Sequence, residues 1–219
     1  MNNTQIEKLL NLINNNELGE AKQILKIELL KNSNNKNIKL LDVVKKYLKN
    51  ADKSRPVLQT IMIKDNKQFI CNGYSMYIFE NYIEDFDILP NSTENILDYK
   101  QIYKNRNYQS INDYDMSILK NIKKIIAYYK QIDGIDKKNG FIIPFANKYY
   151  NANMILELCN MYQNNFDNLK IYTSENELEL VQFTNDNITS IILPVRVKEE
   201  EKQLYNDRIK SCLSLIDQI

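Results

Sequence analysis

The chain contains no histidine, only four glycines, four prolines and three cysteines, and no long apolar run. Each shortage excludes something. Without histidine the commonest general base and the commonest transition-metal ligand are gone. Gly19, Gly73, Gly134 and Gly140 are scattered, so no glycine-rich loop is there to cradle a phosphate. Cys71, Cys159 and Cys212 are odd in number, lack CxxC spacing and sit among apolar residues. They read as buried free thiols in a reducing compartment. No apolar run nears the roughly 20 residues of a membrane span, and "MNNTQIEKLL" has no basic-then-apolar leader. The expectation is a cytoplasmic protein without a membrane partner. Excess charge is missing too: 29 basic residues face 28 acidic ones, for a net charge of +1. Attraction to nucleic acid would have to come from a local patch.

What remains is ordinary material for a folded core, 43% hydrophobic and 26% charged over 219 residues. Residues 1–36 read as a helical hairpin. Thr4 and Glu7 have capping-box spacing, Ile6, Leu9, Leu10 and Ile13 share a face, and Leu18, Ala21, Ile24 and Leu25 repeat the stripe. The polar stretch "KNSNNKN" is a linker. The stripe of Ile38, Leu41, Val44, Tyr47 and Leu48 marks a third helix. Strand-like runs follow at Val57–Ile63, Phe69–Cys71 and Ser75–Phe79.

The same order returns further on. Met154, Ile155, Leu158, Met161 and Tyr162 mark a helix, followed by runs at Leu169–Thr173, Leu178–Phe183 and Ile188–Val195, with "FIIPFANKYY" as a leading strand. Neither unit can bury the apolar face of a three-stranded sheet alone. The expected fold is therefore α+β: two helix-plus-three-strand half-units paired about a pseudo-twofold axis over residues 37–197. Between them, at 82–135, lie a polar linker and a helix through Ile118, Ile122, Ile125 and Tyr129, capped by Asp113 or Asp115. Residues 198–219 form a terminal helix with acidic Glu199–Glu201 in its first turn.

No residue pattern points to catalysis. Ser54, Ser75 and Ser117 lack a histidine partner, and Glu84/Asp85 and Glu199–Glu201 sit in polar, solvated stretches. The reading is a non-enzyme without metal or cofactor. The lysines are better placed: Lys45, Lys46 and Lys49 on one helix, and Lys120, Lys123 and Lys124 on another, lie opposite the apolar stripes. They either solubilise exposed faces or contact a DNA backbone.

Four segments in order resemble a family. "RPVLQTIMIKDNKQFICNGYSMYIFE" is similar to the RPVLxGI…TDGYRLA region of bacterial DNA polymerase sliding clamps. "ILDYKQIYKN" resembles their FPDY linker, "FIIPFANKYYNANMILELC" their last-domain strand and helix, and "SIILPVRV" their MPMRL terminus. The resemblance covers about residues 38–197, room for one clamp domain. It implies helices facing DNA, sheets outside, and a cleft for an apolar peptide of a polymerase or other replisome protein. Carried onto matching positions, that cleft would be Gly73, Tyr74 and Met76; Leu97 and Ile102; and Leu193, Pro194, Val195 and Arg196. The family's Asp-Gly-Tyr-Arg is here Asn72-Gly73-Tyr74-Ser75, which removes a basic residue. The terminal helix is expected to cover the cleft. The implied role is a non-catalytic replication-associated binding module of a phage or mobile element. The alternatives are an oligomeric DNA-binding processivity clamp, hence a homo-oligomer, or an unrelated interaction domain with a clamp-like pattern.

Overall fold

The computed structural model describes residues 1–32, 37–103, 109–112, 114–131, 141–173, 179–216 and 218. The chain begins with two helices, α1 (Asn3–Asn14) and α2 (Leu18–Asn32), that form an antiparallel hairpin. Asn2, not Thr4, caps α1. Its side chain accepts from the Gln5 N–H at 2.9 Å while the Gln5 side chain returns to the Asn2 N–H. The Thr4/Glu7 spacing goes unused because Thr4 already lies inside the helix. Residues 33–36 of the expected linker lie outside the described residues.

Helix α3 (Ile38–Asn50) buries Leu40, Leu41, Val44, Tyr47 and Leu48. The next stretch departs from expectation. Val57 and Leu58 belong to a short 3-10 helix, Pro56–Gln59, and β1 (Ile61–Lys64) begins only after Thr60. The fixed φ of Pro56 suits that tight turn, and the Thr60 hydroxyl closes it on the Val57 carbonyl at 2.8 Å. Strand β2 (Lys67–Cys71) pairs with β1 across Asp65–Asn66, both left-handed as a two-residue hairpin turn requires. Strand β3 (Ser75–Phe79) pairs with β2 across Asn72-Gly73-Tyr74.

The polar middle stretch, read as linker, supplies strands to both edges of the sheet. Strand β4 (Asn91–Ser92) runs parallel to β1, α4 (Tyr99–Tyr103) follows, and β5 (Gln109–Ile111) pairs with a strand near the far end of the chain. Asp115 caps α5 (Met116–Tyr129) by accepting from the Ser117 N–H at 2.9 Å, while Asp113 lies outside the described residues. "FIIPFANKYY" is a complete hairpin, β6 (Ile142–Phe145) and β7 (Lys148–Asn151), not a single leading strand. Ala146 and Asn147 adopt left-handed φ at its turn, and it forms a separate two-stranded sheet. Asn151 caps α6 (Ala152–Met161), and then come β8 (Lys170–Thr173), β9 (Val181–Thr184), β10 (Ile188–Ile192) and α7 (Glu199–Ile216).

The main sheet runs β4-β1-β2-β3-β10-β9-β8-β5, with β3 and β10 joined antiparallel from Ser75↔Ile192 to Phe79↔Ile188. Its two faces are treated differently. On one, Ile61, Ile70, Tyr77 and Phe79 continue into Ile171, Val181, Phe183, Ile188 and Ile192 beneath α3, α5 and α6, a single large core. On the other, Met62, Phe69, Cys71, Met76 and Ile78 form a smaller core with Leu58, Tyr99 and Ile191. The alternation follows the two-residue period of a strand. All three cysteines are free and buried. No helix among the described residues is long and apolar enough to cross a membrane.

Candidate functional site

Where the smaller core stops, halfway across the outer face, the molecule has a groove of about 500 Å³. Its construction starts at the β2–β3 turn. Asn72 folds its side chain back so that Oδ1 accepts from the N–H groups of Tyr74 at 2.9 Å and Ser75 at 2.8 Å. Gly73 has φ +95°, and a Cβ there would stand 3.3 Å from the Arg55 guanidinium. The left-handed backbone is what calls for glycine here, while the exposed Arg55 side chain could yield the few tenths of an ångström a Cβ would need. The turn holds Tyr74 out into solvent, 66% exposed, as one wall of the groove.

Cys71, Met76 and Ile191 form the buried floor, and Leu97, Ile102 and Leu180, half-buried, complete the apolar walls. Asp98 and Gln101 add polar groups to the rim. Two ion pairs anchor this wall to the β1–β2 hairpin: Lys64–Asp98 at 3.3 Å and Lys100–Asp65 at 2.6 Å. Burial pushes Asp98 up, but the Lys64 ammonium outweighs it and holds the carboxyl below the usual carboxylate range. The Lys100 hydrogen bond lowers Asp65 in the same direction. Burial raises the Cys71 thiol above its ordinary range, which argues against a thiolate nucleophile. The arrangement can bury apolar side chains and offer a carboxylate and an amide to a neighbouring backbone.

Of the nine residues expected in a cleft, Gly73, Tyr74, Met76, Leu97 and Ile102 line this groove. Leu193 sits beside it, donating its N–H to the Tyr74 carbonyl at 2.9 Å. Pro194, Val195 and Arg196 are not part of the lining. The chain turns away there, and the Val195 N–H instead donates to the Tyr149 carbonyl at 2.8 Å. That turn also corrects the expectation for the terminal helix. Helix α7 packs on α5 and β6, burying Ile209 and Cys212, and leaves the groove open. Leu180 and Ile191 were missed as lining residues because their sequence signal is only that of strand interior. Asp98 and Gln101 were legible in retrospect, since with Ile102 they share one face of a helical turn.

Behind the groove, on the helix side of the sheet, lies a polar network. Tyr47 donates to the Ser75 carbonyl at 2.7 Å, and Ser75 Oγ at 3.0 Å and the Tyr77 hydroxyl at 3.2 Å donate to Glu157. Burial raises the Glu157 carboxyl, and the two hydrogen bonds only partly offset it. So the position where the clamp pattern has arginine is filled by a buried serine engaged internally.

The six lysines expected at DNA are all exposed, Lys45, Lys46 and Lys49 on α3 and Lys120, Lys123 and Lys124 on α5. Helix α6 packs between those two helices. None of the six joins an ion pair among the described residues. A second groove of about 500 Å³ lies under α7 beside the β6–β7 turn, but its Lys202 is already paired with Glu199. No group of three or more metal-ligating side chains is assembled among the described residues. No protein-family model, curated protein or solved structure matches the chain.

Proposed function

We propose that the chain is a non-catalytic, sliding-clamp-like binding module that captures a short apolar peptide of a replication protein in the groove beside Gly73. The observation that carries this reading is the convergence of the Gly73–Met76 turn with Leu97 and Ile102, segments far apart in sequence, around one open apolar trough. Topology supports it. The order β1-β2-β3-β10-β9-β8 reads alike from either end, and α3 and α6 precede equivalent trios of strands. Both halves also tie a tyrosine at the end of a helix to a central strand: Tyr47, in the last turn of α3, to Ser75, and Tyr162, just past α6, to Ser190 Oγ at 3.2 Å. These are the features that a pseudo-twofold duplicated clamp domain requires.

Fluorescence anisotropy with a labelled clamp-binding peptide tests the reading. Tyr74→Ala removes the exposed wall and Leu180→Asp places a charge in the trough. Each is expected to weaken binding about tenfold or more. Lys170→Ala, on the far part of the sheet, leaves affinity unchanged. Parent-like binding by both groove variants, or no binding by the parent, rejects the groove as a peptide site.

A second reading, a DNA-binding processivity clamp and hence a ring-forming homo-oligomer, is favoured by the six exposed lysines on α3 and α5, the helices on either side of α6, none of them in an ion pair among the described residues. It predicts duplex binding that weakens steeply with salt. Charge reversal at Lys46 and Lys124 should abolish that binding without affecting the peptide. Indifference to DNA at low salt removes this second reading and leaves the first intact.

A further inference from the structure

We infer that the outer face of the α1–α2 hairpin is a self-association surface on which a second copy of this chain docks to make a four-helix bundle. This inference is independent of the groove. Ile6, Leu10 and Ile13 on α1 and Leu18, Leu25 and Leu29 on α2 are between 43 and 68% exposed, the densest set of exposed large apolar residues among the described residues. Leu12 and Ala21 are buried between the two helices. In each helix the exposed set follows the inward-facing positions by one residue. In an antiparallel pair those positions turn toward the same side. Ile27 and Leu30 pack against the main core, so the hairpin docks on the body by its opposite side. The six residues therefore form one continuous face directed away from the protein.

Three observations select a second copy as the occupant. The first is area. Six half-exposed aliphatic side chains present roughly 500 Å² of apolar surface, the upper range for a monomer. With their polar rim they approach the roughly 800 Å² per partner of a standard stable interface. The second is charge. Residues 1–32 hold four lysines and four glutamates, which gives no net attraction to anionic lipid or nucleic acid. The third is complementarity. Lys8 pairs with Glu20 at 2.7 Å and the Gln5 side chain donates to Glu28 at 3.3 Å, which together bracket the level of residue 7 between residues 21 and 26 across the hairpin, the turn that carries Lys22. A twofold axis parallel to the helices keeps those levels and lays α1 over the α2 of the other copy. Glu7 then meets the partner's Lys22. Neither residue has an ion-pair partner within its own chain among the described residues. A twofold interface must be self-complementary in this way.

Sedimentation equilibrium of the full chain over a hundredfold concentration range tests the inference. The parent is expected to pass from monomer to dimer. Leu10→Glu with Leu25→Glu should stay monomeric with unchanged helicity by circular dichroism, because both side chains are already exposed. Glu7→Lys and Lys22→Glu should each weaken the dimer about tenfold, and the two together should restore it. A parent that is monomeric throughout overturns the proposal and leaves the face to a different protein. A dimer that persists in Leu10→Glu/Leu25→Glu also overturns it. A double charge reversal no tighter than either single one overturns the proposed arrangement.

Discussion

The two halves of the main sheet bury their helix-facing sides alike but differ on the other side. On β1, β2 and β3, Met62, Phe69, Cys71, Met76 and Ile78 are sealed beneath Leu58 and Tyr99, with Phe69 and Tyr99 ring centroids 5.0 Å apart. On β8 and β9 the corresponding outward residues are Lys170, Tyr172, Gln182 and Thr184, all partly or fully in water. One half has a second core and the other a wet surface. The groove is the seam between them, where Leu97 and Ile102 stop and Leu180 is left half-covered beside the buried floor of Ile191. A binding trough thus needs no dedicated cavity. It arises where a cover is shorter than the sheet beneath it.

The sharpest way to break this comparison is truncation on each side. Phe69→Ala should cost about 3–4 kcal/mol in urea unfolding because its site is closed on both faces of the ring. Tyr172→Ala, on the wet half, should stay within about 0.5 kcal/mol. Comparable losses would mean that the outer faces are not energetically distinct.

A smaller effect separates the helix-side tyrosine ties. That of Tyr47 and Ser75 contains the carboxyl of Glu157, whereas that of Tyr162 rests on Ser190 Oγ and the carbonyls of Phe183 and Ile188. Because burial raises the Glu157 pKa in the folded state, the native protein holds that proton more tightly than the unfolded chain does. Stability is then lost as pH rises from the ordinary carboxylate value through the raised one. Glu157→Gln keeps an acceptor for Ser75 and Tyr77 and cannot ionise. It should be more stable than the parent at pH 8 and flatten the profile above pH 4.5. A chemical denaturation series across pH reads this directly, and parallel profiles for the two proteins would contradict it.

The smallest change belongs to the second half. The Tyr150 hydroxyl is buried without a hydrogen-bond partner among the described residues, and burial pushes its pKa well above the ordinary tyrosine value. Tyr150→Phe removes that unpaired group and should raise stability by up to about 1 kcal/mol. A clear loss in thermal unfolding would show that the hydroxyl is satisfied.

Much of this architecture could be read from the residues, for identifiable reasons. Ser75–Phe79 is a strand as expected, since β-branched and aromatic residues follow a glycine turn. Helices α3, α5 and α6 follow from unbroken apolar stripes. What stayed hidden has no local signal. Strands β4 and β5 are two and three residues long, polar and at the sheet edges, and only their neighbours' unpaired backbone makes them strands. The β6–β7 turn uses Ala146 and Asn147 in place of glycine, so the hairpin looked like one strand. Five of nine groove residues could be placed because a turn and a helical segment carry their own geometry. Pro194, Val195 and Arg196 could not, because where a chain goes after its last strand depends on β7, a partner that only folding supplies.

The junction of β3 with β10 has a consequence for synthesis. All five residues of each strand are buried, and their partners lie more than a hundred residues apart along the chain. While the polypeptide emerges from the ribosome, the first trio of strands exposes a largely apolar edge strand, Met76, Tyr77, Ile78 and Phe79, with open hydrogen-bonding groups until residues 188–192 arrive. Such distant pairings form slowly, and an open ladder invites pairing with a neighbouring nascent chain. Strand β10 is thus the one that shields β3, and with it the first trio, from aggregation.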